Sequence, residues 1–492
     1  MSASKGQRSH KPASTGKRAA KAPAPRNVSR PHVPHVRTTP GTEPVTELPE
    51  LKREEGIPVN TPDLQTTGKY IIIYKSDVIK KPGSVKASLS NKAGIHHFAS
   101  TSDFKDGAIG AEILGTGTAV HFEHLGMALV ANEDEAVALS QSISDADSPI
   151  LAIEPEYIAY PTMAGDMEGY LRGYRDAINN LWDSYKGGDS PGIFANIEAR
   201  EKIFKDTDSL TWGLQATKVN TSKFSGRGIR IAILDTGFDL NHPDFRGRHV
   251  TAASFSGVTV DDIHGHGTHC IGTACGPQNP ATGERRYGVA YNAEIFAGKV
   301  FNNNAPRPSA PTSNVIAGIE WAMTQECHIA SLSLGVAMNS PIEQYKSPMR
   351  RALNAGLLVV AAAGNNASRP GNLGFVEPPA NSDSVIAVGA LDQKLAVASF
   401  SARSSKITGE GGKVNIAAPG VQVFSSVPTT RGNHDFFDGT SMATPHVAGI
   451  AALWAEARGE RGTALWSRLV QTARGLTAGS DDVGSGLVQA PQ

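Results

Sequence analysis

A long alternation that begins near Thr211 constrains this chain most. Largely apolar runs at Ile229–Leu234, Ile295–Val300, Ile329–Leu334, Leu357–Ala363, Val385–Val388 and Val414–Ala417 are separated by helical or loop segments. Strands buried on both faces read this way, because the crossovers between parallel strands cover both sides of the sheet. The expected fold class is therefore α/β, with a mostly parallel central sheet and helices on both faces. Ligands of such a sheet sit beyond the carboxyl ends of its strands. The polar residues that follow each run are thus the ones to weigh.

Asp235 ends the first run, in Ile231-Ala232-Ile233-Leu234-Asp235-Thr236-Gly237. His266 lies in His264-Gly265-His266-Gly267-Thr268-His269-Cys270, a small-residue segment that reads as a helix start. Its three histidines lack the carboxylate arrangement of a helical zinc motif, so no zinc is expected. Asn365 follows the run that closes at Gly364. Ser441 precedes a stretch apolar almost to Ala457, which reads as a buried helix with Pro445 in its first turn. The unpaired N–H groups and the dipole at such a helix start favour negative charge. Taken singly, each residue has an ordinary explanation, a turn former for Asp235 or Asn365 and an N-cap for Ser441. Together they place an acid, an imidazole, a hydroxyl and an amide donor at element ends around one crevice. Hydrolysis by a serine nucleophile needs those four roles.

Asp-Thr-Gly at Asp235, His-Gly-Thr-His at His266 and Gly-Thr-Ser-Met-Ala-Thr-Pro around Ser441, in that chain order, resemble the motifs of subtilisin-like serine proteases. The resemblance runs from about Thr211 to the C-terminus and implies a catalytic domain over 209–492. It implies a serine endopeptidase that works through an acyl-enzyme and needs no cofactor for its chemistry. By the resemblance, Asp235 orients the imidazole, His266 is the general base and then the acid, and Ser441 is the nucleophile. Asn365 and the Ser441 N–H would form the oxyanion hole. Ser333, Leu334 and Gly335 would be the strand that pairs with extended substrate, with Ala362 and Gly364 in the opposite wall of the pocket.

The resemblance extends to details. His269 matches a structural histidine, and His264 is given no role. Cys270 resembles the proteinase K branch, in which a free thiol lies beneath the catalytic histidine, so mercurials should inhibit. Asp244, in Asn241-His242-Pro243-Asp244, matches a calcium-ligand aspartate of bacterial subtilisins. The facing loop, 276–287, departs from the family's calcium loop and carries Arg285 and Arg286, which leaves structural calcium open. Pro378-Pro379 stands where the family often has a cis-proline, and a cis bond is expected there. A silent scaffold kept for binding is the alternative, and the filled catalytic positions argue against it.

Upstream, residues 1–66 read as a disordered tail: up to Thr42 it holds nine Lys/Arg, no acid and six prolines. Residues 67–163 read as a small α+β domain, with strands at Tyr70–Tyr74 and Leu151–Pro155 and a helix at Glu133–Ile143. Its Lys69-Tyr70-Ile71-Ile72 and Ile153-Glu154-Pro155-Glu156 resemble the subtilase propeptide, an intramolecular chaperone and inhibitor. That implies self-cleavage from Pro161 onward and the propeptide as a partner beside protein or peptide substrates. An aromatic stripe from Met167 to Tyr185 reads as a helix within a linker or extension at 164–208. Lys+Arg and Asp+Glu balance at 47 each, so neither nucleic acid nor an acidic partner is expected. No apolar run is long enough to span a bilayer, and no membrane partner is expected. Three cysteines without a disulfide or zinc spacing, and a basic N-terminus without an apolar segment behind it, read as cytoplasmic or exported by an unusual route.

Overall fold

The computed structural model describes residues 64–81, 83–104, 106–141, 143, 147–162, 203–302, 307–405 and 412–492. The basic tail, apart from its last residues, and the stripe at Met167–Tyr185 lie outside the described residues. None of the described helices is long and apolar enough to cross a membrane.

The N-terminal domain contains strands β1 (Thr66–Tyr74), β2 (Phe98–Ser100), β3 (Ala119–Phe122), β4 (Met127–Val130) and β5 (Ile150–Pro161), with helices α1 (Ser84–Ala93) and α2 (Glu133–Ser140). Its central pairs, β1 with β4 and β5, are antiparallel, whereas β2 and β3 run parallel. Side chains alternate across a strand, and here both faces are covered. Ile72 and Tyr74 join Val85, Leu89 and Leu139 under the domain's own helices. Ile71, Ile73, Met127 and Leu129 turn the other way and pack with Ile316, Trp321, Tyr345 and Met349 of the following domain. Burying such side chains contributes about 1.5–3 kcal/mol each. The sheet is thus half of a core that the second domain completes.

That second domain is built on seven parallel strands in the order β14-β13-β12-β10-β6-β8-β7. In chain order they are β6 (Arg230–Asp235), β7 (Val250–Ser254), β8 (Glu294–Lys299), β10 (Ile329–Leu332), β12 (Leu358–Ala362), β13 (Ile386–Leu391) and β14 (Ile416–Pro419). Two short strands, β9 (Ala310–Pro311) and β11 (Leu334–Gly335), lie outside this sheet, and β15 (Val423–Ser426) pairs with β16 (His434–Phe437) in a hairpin. Helices α3 (His266–Cys275) and α6 (Thr440–Arg458) pack in the cluster that holds Ile231 and Ile233. Helices α4 (Thr312–Thr324) and α5 (Glu343–Asn354) pack in the one that holds Ala232 and Leu234.

All six apolar runs are strands of this sheet. The seventh, β7, is an edge strand of small and half-buried residues, and it lacks the apolar density that marks a strand covered on both faces. The third run divides at Ser333, where the chain leaves the parallel sheet and becomes β11. The chain reverses direction across the sheet at β6, whose neighbours are β10 and β8. The ends of β6, β10 and β12 therefore open onto one crevice at a switch point.

Candidate active site

Asp235 is the last residue of β6, and His266 is the first of α3. His266 Nδ1 lies 2.6 Å from Asp235 Oδ1, which also accepts the Thr236 N–H at 2.7 Å. Both side chains are buried, and His266 Nε2 has no hydrogen-bond partner among the described residues. The pair is held by Asp262. Its carboxylate accepts from the N–H groups of His264, Gly265 and Thr268 and from the hydroxyls of Thr236 and Thr268, at 2.8–3.1 Å. This ties the start of α3 to the end of β6. Buried Lys299 donates to the Thr236 and Asp261 carbonyls at 2.6 and 2.7 Å, which fixes the same turn from below.

Ser441 stands in the first turn of α6, where backbone N–H groups have no intrahelical acceptor. The helix starts at Thr440, so Pro445 falls in the second turn rather than the first. A proline there cannot donate to the carbonyl four residues back. That carbonyl belongs to Ser441, and it accepts instead from Ser333 Oγ at 2.8 Å and Cys270 Sγ at 3.6 Å. Pro445 thus frees an acceptor that anchors the Ser441 backbone to β10's end and to α3. The thiol lies 4.0 Å from His266 Nδ1, and burial pushes it well above the ordinary range. His269 bonds the Val423 carbonyl at 2.9 Å and stacks on Phe437, and burial holds it neutral, down to about 3.

The crevice is filled by the chain itself. The end of β5 runs between β9 and β11, antiparallel to both, with Ile158 opposite Pro311, Ala159 opposite Ala310, Tyr160 opposite Gly335 and Pro161 opposite Leu334. The Thr162 N–H donates to the Ser333 carbonyl at 3.2 Å. Ser441 Oγ is 2.6 Å from the Thr162 carbonyl oxygen, and Asn365 Nδ2 donates to that same oxygen. Asn365 is aimed by its Oδ1, which accepts the Thr440 N–H and hydroxyl at 2.9 Å each. Ala362 ends β12, and Gly364, just beyond it, bonds the Thr440 hydroxyl through its N–H at 3.3 Å. The residues assigned to substrate pairing thus meet Ser441 and Asn365 at this crevice, and the Asp235–His266 pair adjoins it through Cys270, with no hydrogen bond between His266 Nε2 and Ser441 Oγ.

The Subtilase family's signature matches residues 226–486. The chain belongs to the subtilase family. M-protease of Shouchella clausii (strain KSM-K16) is 36% identical to this subtilase over 304 residues, covering 60% of this chain and 72% of that one. Subtilisin DY of Bacillus licheniformis is 39% identical over 242 residues, 49% of this chain and 81% of that one. Subtilisin Savinase of Lederbergia lenta is 37% identical over 293 residues, 57% of this chain and 97% of that one. The subtilase is a serine endopeptidase, and its chemistry requires no cofactor.

Calcium at Asp244 meets a different geometry. Asp244 Oδ1 accepts from the Thr282 N–H and hydroxyl at 2.9 and 3.0 Å, and Oδ2 from Tyr287 OH and His434 Nε2 at 2.7 and 2.8 Å. Burial alone would raise this carboxyl, but those hydrogen bonds outweigh it and hold it well below the usual carboxylate range. Beside it, His242 spends both ring nitrogens, on the Asp244 N–H and the Asn433 carbonyl. Calcium seeks six to eight oxygen ligands, and here donors point at the one carboxylate. These residues do not fit that ion. The Pro378–Pro379 bond is cis in the subtilase, as is Arg369–Pro370.

Three sets of residues have roles that the sequence reading did not give. β9 is a two-residue strand beside a proline, with no periodicity to mark it. Asp262 and Lys299 look like surface charges in sequence, and only a short spacing from His266 hints at the first. Glu154, Glu156 and Glu320 link the domains. Glu154 accepts the N–H groups of Glu343 and Gln344 at 2.8 and 2.9 Å, and Glu156 that of Ser313 at 3.2 Å, so each serves a helix start that lacks a side-chain cap of its own. In return, Glu320 accepts the N–H groups of His124 and Leu125 at 2.7 and 2.9 Å and the Thr101 hydroxyl at 3.0 Å.

Proposed function

We propose that Ser441 is the nucleophile of an Asp235–His266–Ser441 triad, in a self-processing zymogen whose inhibitory domain ends at Thr162. The Thr162 carbonyl carries the reading. It is held by Ser441 Oγ and Asn365 Nδ2 at the end of a strand paired on both sides, as the acyl half of a cleaved peptide would be. Attack forms the Ser441 Oγ–carbonyl bond, and the hydroxyl proton passes to His266 Nε2, which has no competing partner among the described residues. Asp235 holds the other ring nitrogen and stabilises the imidazolium that results. Negative charge develops on the carbonyl oxygen, facing Asn365 Nδ2 and the Ser441 N–H at the start of α6. Collapse breaks the Thr162–Met163 bond and gives the His266 proton to the leaving amine, and water then releases the acyl group by the same steps.

Residues 67–162 act as the inhibitor, one residue shorter than the expected boundary, and the peptidase occupies the chain from the linker onward. Residues 203–208, assigned to that linker, pack on the catalytic domain through the Phe204 N–H to Gln393 carbonyl bond and the Asp206 bond to the Trp212 N–H. Asp244 serves as a hydrogen-bonded clamp and not as a calcium ligand. Intact mass of the purified chain beside Ser441→Ala tests the reading. The wild type should yield a fragment ending at Thr162 while the variant stays whole, and a fluorophosphonate probe should label Ser441. Equal cleavage of both chains would remove self-processing, and no labelling of the chain freed of residues 1–162 would remove the peptidase.

A further inference from the structure

The pocket that receives the side chain before the scissile bond lies between two backbone strips, 333–335 and 362–364. Thr162 barely enters it, since its hydroxyl lies 2.8 Å from Ser441 Oγ. The two strips carry glycines where the walls face each other, and the same side chain meets both positions. A Cβ added at Gly335 would overlap Glu377 Oε2, and one added at Gly364 would lie 3.2 Å from Glu377 Cδ. The slot between the strips therefore ends on a carboxylate.

Glu377 is only 8% exposed. Its backbone is locked to one wall by its N–H bond to the Ala363 carbonyl at 3.0 Å, and the next residue's carbonyl accepts the Val336 N–H of the other wall at 2.9 Å. Asn366 Nδ2 donates to Oε1 at 2.8 Å. No described residue donates a hydrogen bond to Oε2, the oxygen nearest Gly335. Among the described residues Arg307 is the cation acting on this group, and it stacks over the Tyr160 ring at 4.3 Å. Burial pushes the Glu377 carboxyl up to about 7, against the pull of Asn366 and Arg307. An acid that is nearly buried and half-satisfied at the floor of a substrate pocket costs folding energy, and a cationic side chain reaching down the slot would offset that cost.

We infer that Glu377 sets the primary specificity of this peptidase, selecting substrates with lysine or arginine immediately before the scissile bond. The inference rests on the peptidase reading of Ser441. A long cationic side chain lays its methylenes along the glycine-bordered walls and brings its charge to Oε2. Thr162 is too short to do so, and self-cleavage does not require it to, because an intramolecular bond is presented at a very high effective concentration. Threonine in the slot leaves Glu377 without its cation. The processed tail is held by its backbone and its domain, not by its last side chain.

The test uses the self-processed full-length chain and p-nitroanilides of Ala-Tyr-Pro-Xaa, copied from Ala159–Pro161, with Lys, Arg, Met or Phe as Xaa. A hydrogen bond to a charged partner contributes about 1.5–3 kcal/mol. That predicts a kcat/KM for Lys or Arg roughly 10- to 100-fold above that for Met. In Glu377→Gln, which keeps the acceptor for Asn366, the Lys/Met ratio should collapse by the same factor. Retained fluorophosphonate labelling with equal rates at Lys and Met in the wild type overturns the pocket assignment and leaves the peptidase standing. An unchanged ratio in Glu377→Gln overturns it as well, and absent labelling with no hydrolysis of any of the four overturns both readings.

Discussion

Removing the Glu154 carboxylate should speed release of the inhibitory domain. Its two oxygens accept the first N–H groups of α5 at 2.8 and 2.9 Å, and that helix start has no side-chain cap of its own. In Glu154→Ala two charge-assisted bonds are lost, along with a negative charge favourably placed at a helix N-terminus. Half-buried bonds of this kind contribute about 1–1.5 kcal/mol each, and the dipole contribution adds about 0.3–1 kcal/mol. The complex should weaken by about 2–4 kcal/mol, a roughly 30- to 1000-fold change. Most of it should fall on the dissociation rate, as is usual for changes within one interface. The assay follows the lag before peptide hydrolysis when the self-cleaved complex is diluted. Glu154→Gln keeps an acceptor but loses the charge, and should fall between the two. Residue 154 leaves with the inhibitor, so the released catalytic domain should melt at the same temperature from all three chains. A Glu154→Ala complex that releases within twofold of the wild-type rate would refute the capping argument.

Glu377 makes the Lys/Met preference pH-dependent. Its carboxyl is raised to about 7 by burial, and only the anion pairs with a cationic substrate. The ratio of kcat/KM values should therefore rise with pH through about 7 and flatten above it, and in Glu377→Gln it should not rise. Taking a ratio cancels whatever pH dependence the two substrates share, and a flat wild-type ratio from pH 5.5 to 8.5 would contradict it. Asp244→Ala should lower the Tm, since it orphans Tyr287, Thr282 and His434 donors that cost about 1–3 kcal/mol apiece when buried and unpaired. Excess chelator should leave the wild-type Tm where it was, and a drop on chelation would restore calcium to that site. The Asp244 carboxyl is depressed in the fold, so its contribution is complete above the ordinary carboxylate range near pH 4. It fades as pH falls below that range, which acid unfolding of wild type and variant would reveal. Cys270, whose thiol is buried and pushed up, should resist iodoacetamide at pH 8 in the folded chain. Its rapid alkylation, seen by peptide mass, would argue against the packing around His266.

The α/β class could be read because strands buried on both faces leave a dense apolar record, and the proposed triad because Asp235 ends one of those runs while His266 and Ser441 stand at helix starts. β7 left no such record, since an edge strand of small residues satisfies the same backbone bonds with little apolar area. Pro445 was misplaced by a turn because its effect depends on where the helix begins, and Gly439-Thr440 does not mark that point uniquely. Asp244 was matched to calcium through its own motif. The donors that now surround it come from residues 282, 287 and 434, which no local pattern connects. Glu377 was invisible for the same reason: its meaning comes from two glycines, one on β11 and one just past β12, 42 and 13 residues away.

If residues 67–162 are the inhibitor and Glu377 is the floor of the pocket, the two answer one constraint. A strand that fills the crevice must be held tightly enough to keep Ser441 from other substrates, yet must leave once cut. Tight binding through the slot would work against release, because a cation on Glu377 would persist in the product. Here the grip lies elsewhere, in backbone pairing with β9 and β11 and in the carboxylates of Glu154, Glu156 and Glu320, which bridge helix starts and loops across the domain boundary. These contacts depend on the inhibitory domain staying folded. On that reading, once the domain unfolds or is itself cut, the helix starts regain water, the tail keeps only its short strand, and Glu377 would choose among the substrates that reach it.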